Sequence, residues 1–520
     1  MSANPSLPGS RGVPDALSHL LRTNQLLLIV AAACILMIPE VYNGGPFLYR
    51  DTATYIGYAE RAFVHFFGGN AWLSPPHALQ NATSFGNFGG AADGEAPAVL
   101  SGRSIYYGTL SYLAAIAGSL SLVAFVQALL TAWVIQRFLR MFFPTSPLVY
   151  LCTVALLTFG SSLGYFVSLT MPDVLAGLSI LAFAILTLDY RRLSMADRIF
   201  LVLILAFAAL AHSSHIPLLL GLLAAFLLLT ALLHKGLRQY AAPSLLILSV
   251  VCVGLLGEQA FAYSVKKAEG VEPVRLPHVS AHLIDIGPGD AYLRNHCPQS
   301  GFAICAAKDK LPLQWMEVLF CKTEACGVFS SATLSEKQAM GKEQLRFALA
   351  VFKEYPGAVG WGLFREVARQ LVMIGVDDAR YGPEDLHAFK TRLTAQEYYR
   401  ALHTSVARSA VLPEYFTAVS YASTCLSTFA LLALFVWQRT QVFAPSMEDA
   451  MISDKLKMAL AIVILGLIIN AAVCGGIAHA YGRFQSRVVW VLPLIGVAAA
   501  LVWLKNIRRN KGVPYDAIQD

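Results

Sequence analysis

Few residues in this chain have types and spacings suited to chemistry, and they stand at the ends of apolar runs. Asp51 lies in Phe47-Leu48-Tyr49-Arg50-Asp51-Thr52-Ala53-Thr54-Tyr55, just past the first apolar run, with Tyr55 one helical turn further on. A carboxylate there can act as a general base on a hydroxyl or orient it; the plainer reading is a cap for a helix over 52–67. Asp173 follows Pro172 where another apolar run opens, and Pro-Asp also starts helices. Arg103 sits in Ser101-Gly102-Arg103-Ser104, ahead of a short apolar stretch. Arg483 and Arg487 precede the last apolar run at i and i+4. Guanidinium forks suit a phosphate or pyrophosphate head group, with snorkelling to lipid head groups as the alternative. His212 and His215 occupy a turn between two runs. They lack a further ligand nearby, so a polar turn is expected there and not zinc. Gly160-Ser161-Ser162-Leu163-Gly164 satisfies G-x-S-x-G, but a nucleophile elbow needs a strand-turn-helix context. Within an apolar run the motif reads as small-residue helix packing. Asn81-Ala82-Thr83 is a glycosylation sequon.

The elements that must hold these residues are membrane helices. Of 520 residues, 56% are apolar and 14% charged, and the mean hydropathy is +0.57. Soluble domains carry roughly a quarter charged residues, so an ordinary cytosolic enzyme and a disordered regulator are both excluded. A membrane helix takes about 20 apolar residues. Runs near 25–42, 121–139, 148–168, 174–189, 199–213, 215–233, 243–263, 414–437, 458–478 and 487–504 qualify, with 174–189 and 199–213 short of the ideal. The expected fold is therefore an all-α polytopic membrane protein of about ten transmembrane helices, with juxtamembrane helices and a mostly helical extracytoplasmic loop domain.

Charge sets the topology. The net charge is +7, from 39 Lys and Arg against 32 Asp and Glu. If 105–118 is re-entrant or juxtamembrane, Arg22, Arg137, Arg140, Arg191, Arg192, Arg198, Lys235, Arg238, Arg439, Lys455 and Lys505 all fall on one side, as the positive-inside rule requires. A full span there would turn Arg137 and Arg140 outward. The expected topology is multi-pass in a bacterial inner membrane, both termini cytoplasmic, with the chemistry facing the periplasm. The excess charge then reports orientation, and no nucleic-acid partner is expected. The first run reads as a signal anchor, since it ends in Pro39-Glu40 without a small-residue cleavage site.

The expected organisation is a cytoplasmic segment 1–24, a membrane module 25–263 containing a first outer loop 43–120, a large outer loop 264–412, C-terminal membrane helices 413–505 and a cytoplasmic tail 506–520. Four of the nine cysteines, Cys297, Cys305, Cys321 and Cys326, lie in the large loop at spacings that fit no standard zinc pattern. In an oxidising compartment an even set reads as disulfides. Three pairings are possible; Cys297–Cys305 with Cys321–Cys326 is the expected one, and four free thiols are the alternative. The stretch 358–375 has an amphipathic pattern, for a membrane surface or for the core of a small domain.

Three blocks resemble the GT-C superfamily of integral-membrane glycosyltransferases, which includes aminoarabinose and mannosyl transferases. They are Asp51-Thr52-Ala53-Thr54-Tyr55-Ile56 after the first run, Arg103-Ser104-Ile105-Tyr106-Tyr107 with Val126-Gln127-Ala128-Leu129, and Phe166 through Asp173. Tyr481-Gly482-Arg483-Phe484 is a weaker echo of a late block. Two departures stand out: Ser-Ile replaces the usual Pro-Pro after the arginine, and the first acidic block has one Asp where members have a pair. The resemblance implies an inverting transfer from a polyprenyl-phosphate sugar, delivered from membrane lipids, to an unnamed acceptor. Asp51 would be the base, and Asp173 would orient substrate or share a divalent metal, Mg2+ or Mn2+. Arg103, Arg483 or Arg487 would counter the leaving phosphate, with Tyr55 and His215 supporting the site. The alternatives are a lipid-linked polysaccharide polymerase or ligase using Arg and His without an essential Asp, a transporter or flippase, and a non-catalytic scaffold. A transporter would show internal repeats and mid-membrane charges, and the sequence shows neither.

Overall fold

The computed structural model describes residues 24–68, 99–144, 146–234, 236–386, 389–390, 393, 395–405, 408, 411–440 and 447–510. Residues 1–23, the sequon Asn81-Ala82-Thr83 and 511–520 of the expected tail lie outside the described residues. The described chain is helical, and its only extended pairings are two isolated bridges, Phe47 with Leu169 and Leu100 with Val274.

The apolar runs become helices for the reason that defines membrane spans: without water, backbone groups must bond within the segment. In order these are α1 (Gln25–Leu36), α2 (Ile38–Asn43), α3 (Arg50–Phe67), α4 (Ile105–Ile116), α5 (Ser121–Arg140), α6 (Pro147–Gly160), α7 (Leu163–Ser168), α8 (Val174–Asp189), α9 (Met195–Ala211), α10 (His215–Leu232) and α11 (Ala241–Glu269). After the outer region come α17 (Val411–Thr440), α18 (Met447–Ile477), α19 (Gly482–Val489) and α20 (Val491–Asn510). Among the described residues seven segments are long and apolar enough to cross a membrane, beginning at Gln25, Ser121, His215, Leu237, Val411, Ile452 and Gly482.

The other three expected spans are shorter. The run 148–168 is two helices, α6 and α7, broken at Ser161 and Ser162. The G-x-S-x-G stretch is thus a junction and not the interior of one helix. Ser161 is extended there, and Ser162 Oγ donates to Ser486 O at 2.7 Å. The 16 residues of α8 rise only about 24 Å, less than the roughly 30 Å hydrocarbon layer. That length suffices because α8 is buried on all sides from Val174 to Thr187. It is hydrophobic all round because it is the centre of the bundle. Gly177 lets it approach the Trp490 indole, where a Cβ would meet the ring at 2.7 Å. The stretch 105–118 is the 12-residue helix α4, packed on α3. Gly108 sits against the carbonyl of Tyr55 where a Cβ would collide.

Between the two sets of membrane helices lie α12 (His278–Asp285), α13 (Pro288–His296), α14 (Trp315–Phe320), α15 (Leu334–Glu354) and α16 (Pro356–Val372). These share a hydrophobic core of their own, built on Leu283, Leu293, Trp315, Val318 and Phe347. The loop is not uniform, however: Val376, Ala379, Tyr381, Leu386, Phe389 and Leu412 join the core of the membrane bundle instead. Cys297 is bonded to Cys305 and Cys321 to Cys326. Helix α16 packs on α18, yet the side it buries carries Val359, Gly362, Glu366 and Gln370, while Trp361 and Phe364 face outward.

Candidate active site

The site is assembled from the ends of α3, α4, α8 and α19. At the start of α3 the hydroxyl of Thr52 caps the helix: Tyr49 N–H donates to Thr52 Oγ1 at 3.1 Å, and Thr52 Oγ1 donates to Thr170 O at 2.9 Å. The cap is therefore Thr52 acting on Tyr49, and the expected capping by Asp51 does not occur. The same hydroxyl ties α3 to the strap before α8, which Phe47 also holds through Phe47 N–H to Ser168 O and Thr170 N–H to Phe47 O, both 2.9 Å. Gln127 of α5 supports that strap from below, its amide donating to Val167 O and Leu169 O at 2.9 Å while its carbonyl accepts from Tyr107 OH at 3.1 Å.

With the strap and α3 fixed, Asp51 is free to pair with Arg103, whose Nη2 donates to Asp51 Oδ1 at 2.8 Å. Both side chains keep some solvent contact, 17% and 25% exposed. Tyr55, on the same face of α3, is fully buried and packs edge-on to Tyr107 with ring centres 5.4 Å apart.

Behind this pair lies a buried charge cluster. Arg483 Nε and Arg487 Nη1 each stand 3.7 Å from Asp173 Oδ1. Asp173 is 2% exposed and Arg487 1%. The two arginines share a face of α19 because they are four residues apart. Several polar contacts hold α19 in place. Gln370 of α16 exchanges two hydrogen bonds with the backbone of Tyr481, at 2.7 and 3.0 Å. Asn470 of α18 donates to Phe484 O at 2.7 Å and to Gln485 Oε1 at 2.9 Å. Arg487 Nη2 donates to Ser214 Oγ and Asn470 Oδ1, both 3.1 Å, and lies 3.2 Å from Cys474 Sγ. Arg483 stacks over the Tyr49 ring, Cζ to centroid 3.8 Å, and its backbone N–H donates to Asp378 Oδ2 at 3.4 Å. The charges of Asp51, Asp173 and Asp378 all act on Arg483, and Arg103 and Arg483 act on each other. Three carboxylates and three guanidiniums thus act on one another, two of the carboxylates, Asp51 and Asp173, in direct ion pairs. Arg483 Nη1 and Arg487 Nε remain buried without a hydrogen-bond partner.

The structure therefore brings Asp51, Arg103, Tyr55, Asp173, Arg483 and Arg487 together, in two layers. Asp51 and Arg103 form the accessible layer, and Asp173 and Arg487 the buried one, with Arg483 between. His215 is fully buried, its Nδ1 2.7 Å from Ala208 O, in the packing behind Arg487. His212 sits beside it with Nδ1 2.8 Å from Ser214 Oγ, the polar turn expected. Two clefts lie near the accessible layer. One is lined by Arg103, Ser104, Ser213 and Glu258. A larger and mostly apolar one runs between α3 and α11 past Tyr58, Phe66 and Val265. Ile105 and Phe261 border both, so the two are neighbours.

Sequence reasoning missed three groups. Tyr49 lies beside Asp51 in the chain, but its stacking on Arg483 is a contact across the fold. Asp378 has no periodic signal; burial pushes its carboxyl up while Arg483 pulls it down. His278 belongs to the outer domain, yet its imidazole feels both Arg103 and Asp51, and burial pushes it down to about 4. The helical loop domain thus reaches the site through His278. No family model, curated protein or solved structure matches the chain.

Proposed function

We propose that this chain is an inverting membrane glycosyltransferase of ten spans, with both termini on the cytoplasmic side of a bacterial inner membrane. It moves a sugar from a polyprenyl-phosphate donor to a hydroxyl acceptor at the opposite face. The observation that carries the proposal is the partly solvated Asp51–Arg103 pair, with Arg103 lining one cleft and a mostly apolar cleft beside it sharing Ile105 and Phe261. An isoprenoid tail suits the larger apolar cleft, and its phosphate suits the one lined by Arg103. The sugar then lies against Asp51.

Asp51 accepts the proton of the acceptor hydroxyl as that oxygen bonds to the anomeric carbon. The bond from that carbon to the phosphate oxygen breaks, and the electron pair leaves with polyprenyl phosphate. Arg103 and Arg483 counter the charge that develops there, the kind of preorganised electrostatic help that dominates such steps. Arg483 acts from behind the pair, its Nη1 buried without a hydrogen-bond partner. Asp173 and Arg487 are positioning residues, since both are buried behind Arg483 and act through it. The three-residue metal-ligating group found among the described residues does not involve Asp51 or Asp173, and the proposal routes no step through a metal.

The test is reconstituted full-length protein with polyprenyl-phosphate sugars, reading release of polyprenyl phosphate. Asp51→Asn is expected to lower turnover about 10²–10⁴-fold, the usual worth of a positioned base, and full activity would remove Asp51 from the mechanism. The tight Arg103 contact favours a second reading, in which Asp51 only orients arginine in a lipid-linked polymerase or ligase. That reading requires Asp51→Asn to stay active while Arg483→Ala is dead.

A further inference from the structure

A second cluster lies outside the proposed active site. His282 and Asp285 stand three residues apart on α12 and so share a face. His479 comes from the connection between α18 and α19. One ligating atom from each lies within 4.8 Å of the other two. His479 Nδ1 and Asp285 Oδ2 are already 3.1 Å apart. His282 is 1% exposed, and neither of its ring nitrogens has a hydrogen-bond partner. An imidazole always carries at least one N–H, and the neutral ring also carries a lone pair, and burying both without partners is costly. Trp315 walls the cluster, its ring near-parallel to His479 at 6.0 Å and to His278 at 5.4 Å.

We propose that His282, Asp285 and His479 bind one divalent transition-metal ion of the zinc class, leaving the remaining coordination to water or a bound group. Two imidazoles and a carboxylate are the donors borderline ions favour. Metal–ligand bonds of about 2.0–2.1 Å set donor-to-donor edges of about 3.3 Å in a tetrahedron. The Asp285–His479 edge has that length already, and His282 has about 1.5 Å to close at most, given the 4.8 Å spread. The ion satisfies one of the orphaned nitrogens of His282. It also clamps the outer domain to the bundle four residues before Arg483, which makes it a structural tie between that domain and the site. The proposal does not depend on the glycosyltransferase reading.

The test uses tag-free, full-length protein in detergent, stripped with EDTA and titrated with ZnCl2 or CoCl2. The expected result is one equivalent of zinc retained through desalting and a visible ligand-field band with cobalt. Asp285→Asn and His479→Gln should each weaken zinc binding at least about tenfold, since losses even in the outer shell cost that much. Both side chains are about a fifth exposed, 19% and 23%, so these polar replacements should keep the fold, which gel filtration checks. Asp51→Asn should keep the full equivalent. Absence of stoichiometric zinc and of the cobalt band in the unmutated protein overturns the proposal. So does wild-type affinity in both cluster variants, or loss of the ion in Asp51→Asn.

Discussion

Asp173→Asn isolates the buried layer of the site. The substitution keeps the shape and removes the charge that faces Arg483 and Arg487, each 3.7 Å from the same oxygen. At that separation and an effective dielectric of about 20, each pair is worth about 4 kcal/mol of attraction. The attraction is largely offset by the desolvation of three buried charges, but the variant keeps the cost of burying two arginines and loses their counter-charge. Breaking a buried pair from one side typically costs about 3–5 kcal/mol. The assay is the half-life of the monodisperse gel-filtration peak in detergent at a fixed challenge temperature, together with the thermal unfolding midpoint. At about 1.4 kcal/mol per decade, half-life should fall by about two to three and a half orders of magnitude if the cluster is broken in the unfolding transition state. The loss should be insensitive to salt, because a pair this buried is barely screened. Asp51→Asn is the contrast: its pair with Arg103 is partly solvated, so stability should change by no more than about 1 kcal/mol while turnover collapses. Asp173→Asn within about 0.5 kcal/mol of the unmutated protein would refute the claim that the two arginines depend on this carboxylate.

Further tests reach other parts of the fold. Non-reducing peptide mapping should recover Cys297 with Cys305 and Cys321 with Cys326; reduction should destabilise the outer domain by about 2–3 kcal/mol per bridge, the worth of closing loops this short. Because His278 titrates near 4 in the fold and near 6.5 when unfolded, its contribution is intact above pH 6.5 and is lost as pH falls from 6.5 toward 4. The full effect is about 3 kcal/mol, and less here since the residue is only half-buried; His278→Asn should flatten the fall in thermal midpoint across that window. Gly108→Ala puts a methyl into the Tyr55 carbonyl and should cost about 1–3 kcal/mol. It should also lower turnover by pushing α3 and α4 apart, which turnover and melting of the same preparation would check together.

What could be read from the chain was whatever depends on neighbours in sequence. Apolar runs announce membrane helices because the bilayer enforces both length and internal hydrogen bonding. Asp51 with Tyr55, and Arg483 with Arg487, fall on shared faces because a helix repeats every 3.6 residues. The two disulfides join cysteines eight and five residues apart, where short loops make local pairing natural. Where local pattern misled, tertiary burial had replaced lipid as the environment. Helix α8 is short for a span and is covered by neighbours on all sides, and the run 148–168 breaks at Ser161 and Ser162, where Ser162 bonds to Ser486 across the bundle. In α16 the charged and amide residues Glu366 and Gln370 turn inward because Gln370 has the Tyr481 backbone to bond.

The sequence by itself determined a helical membrane protein with its few costly charges at helix ends, since composition and periodicity are properties of the chain alone. Only the tertiary structure decided which of those charges meet. Asp51 pairs with Arg103, Asp173 with arginines some three hundred residues away, and Asp285 with His479, 194 residues further along the chain. No periodicity encodes such encounters, because they depend on how helices cross and where a glycine, a threonine cap or a glutamine lets two backbones approach. The same packing divided the charges into a wet pair at a cleft and a dry cluster behind it.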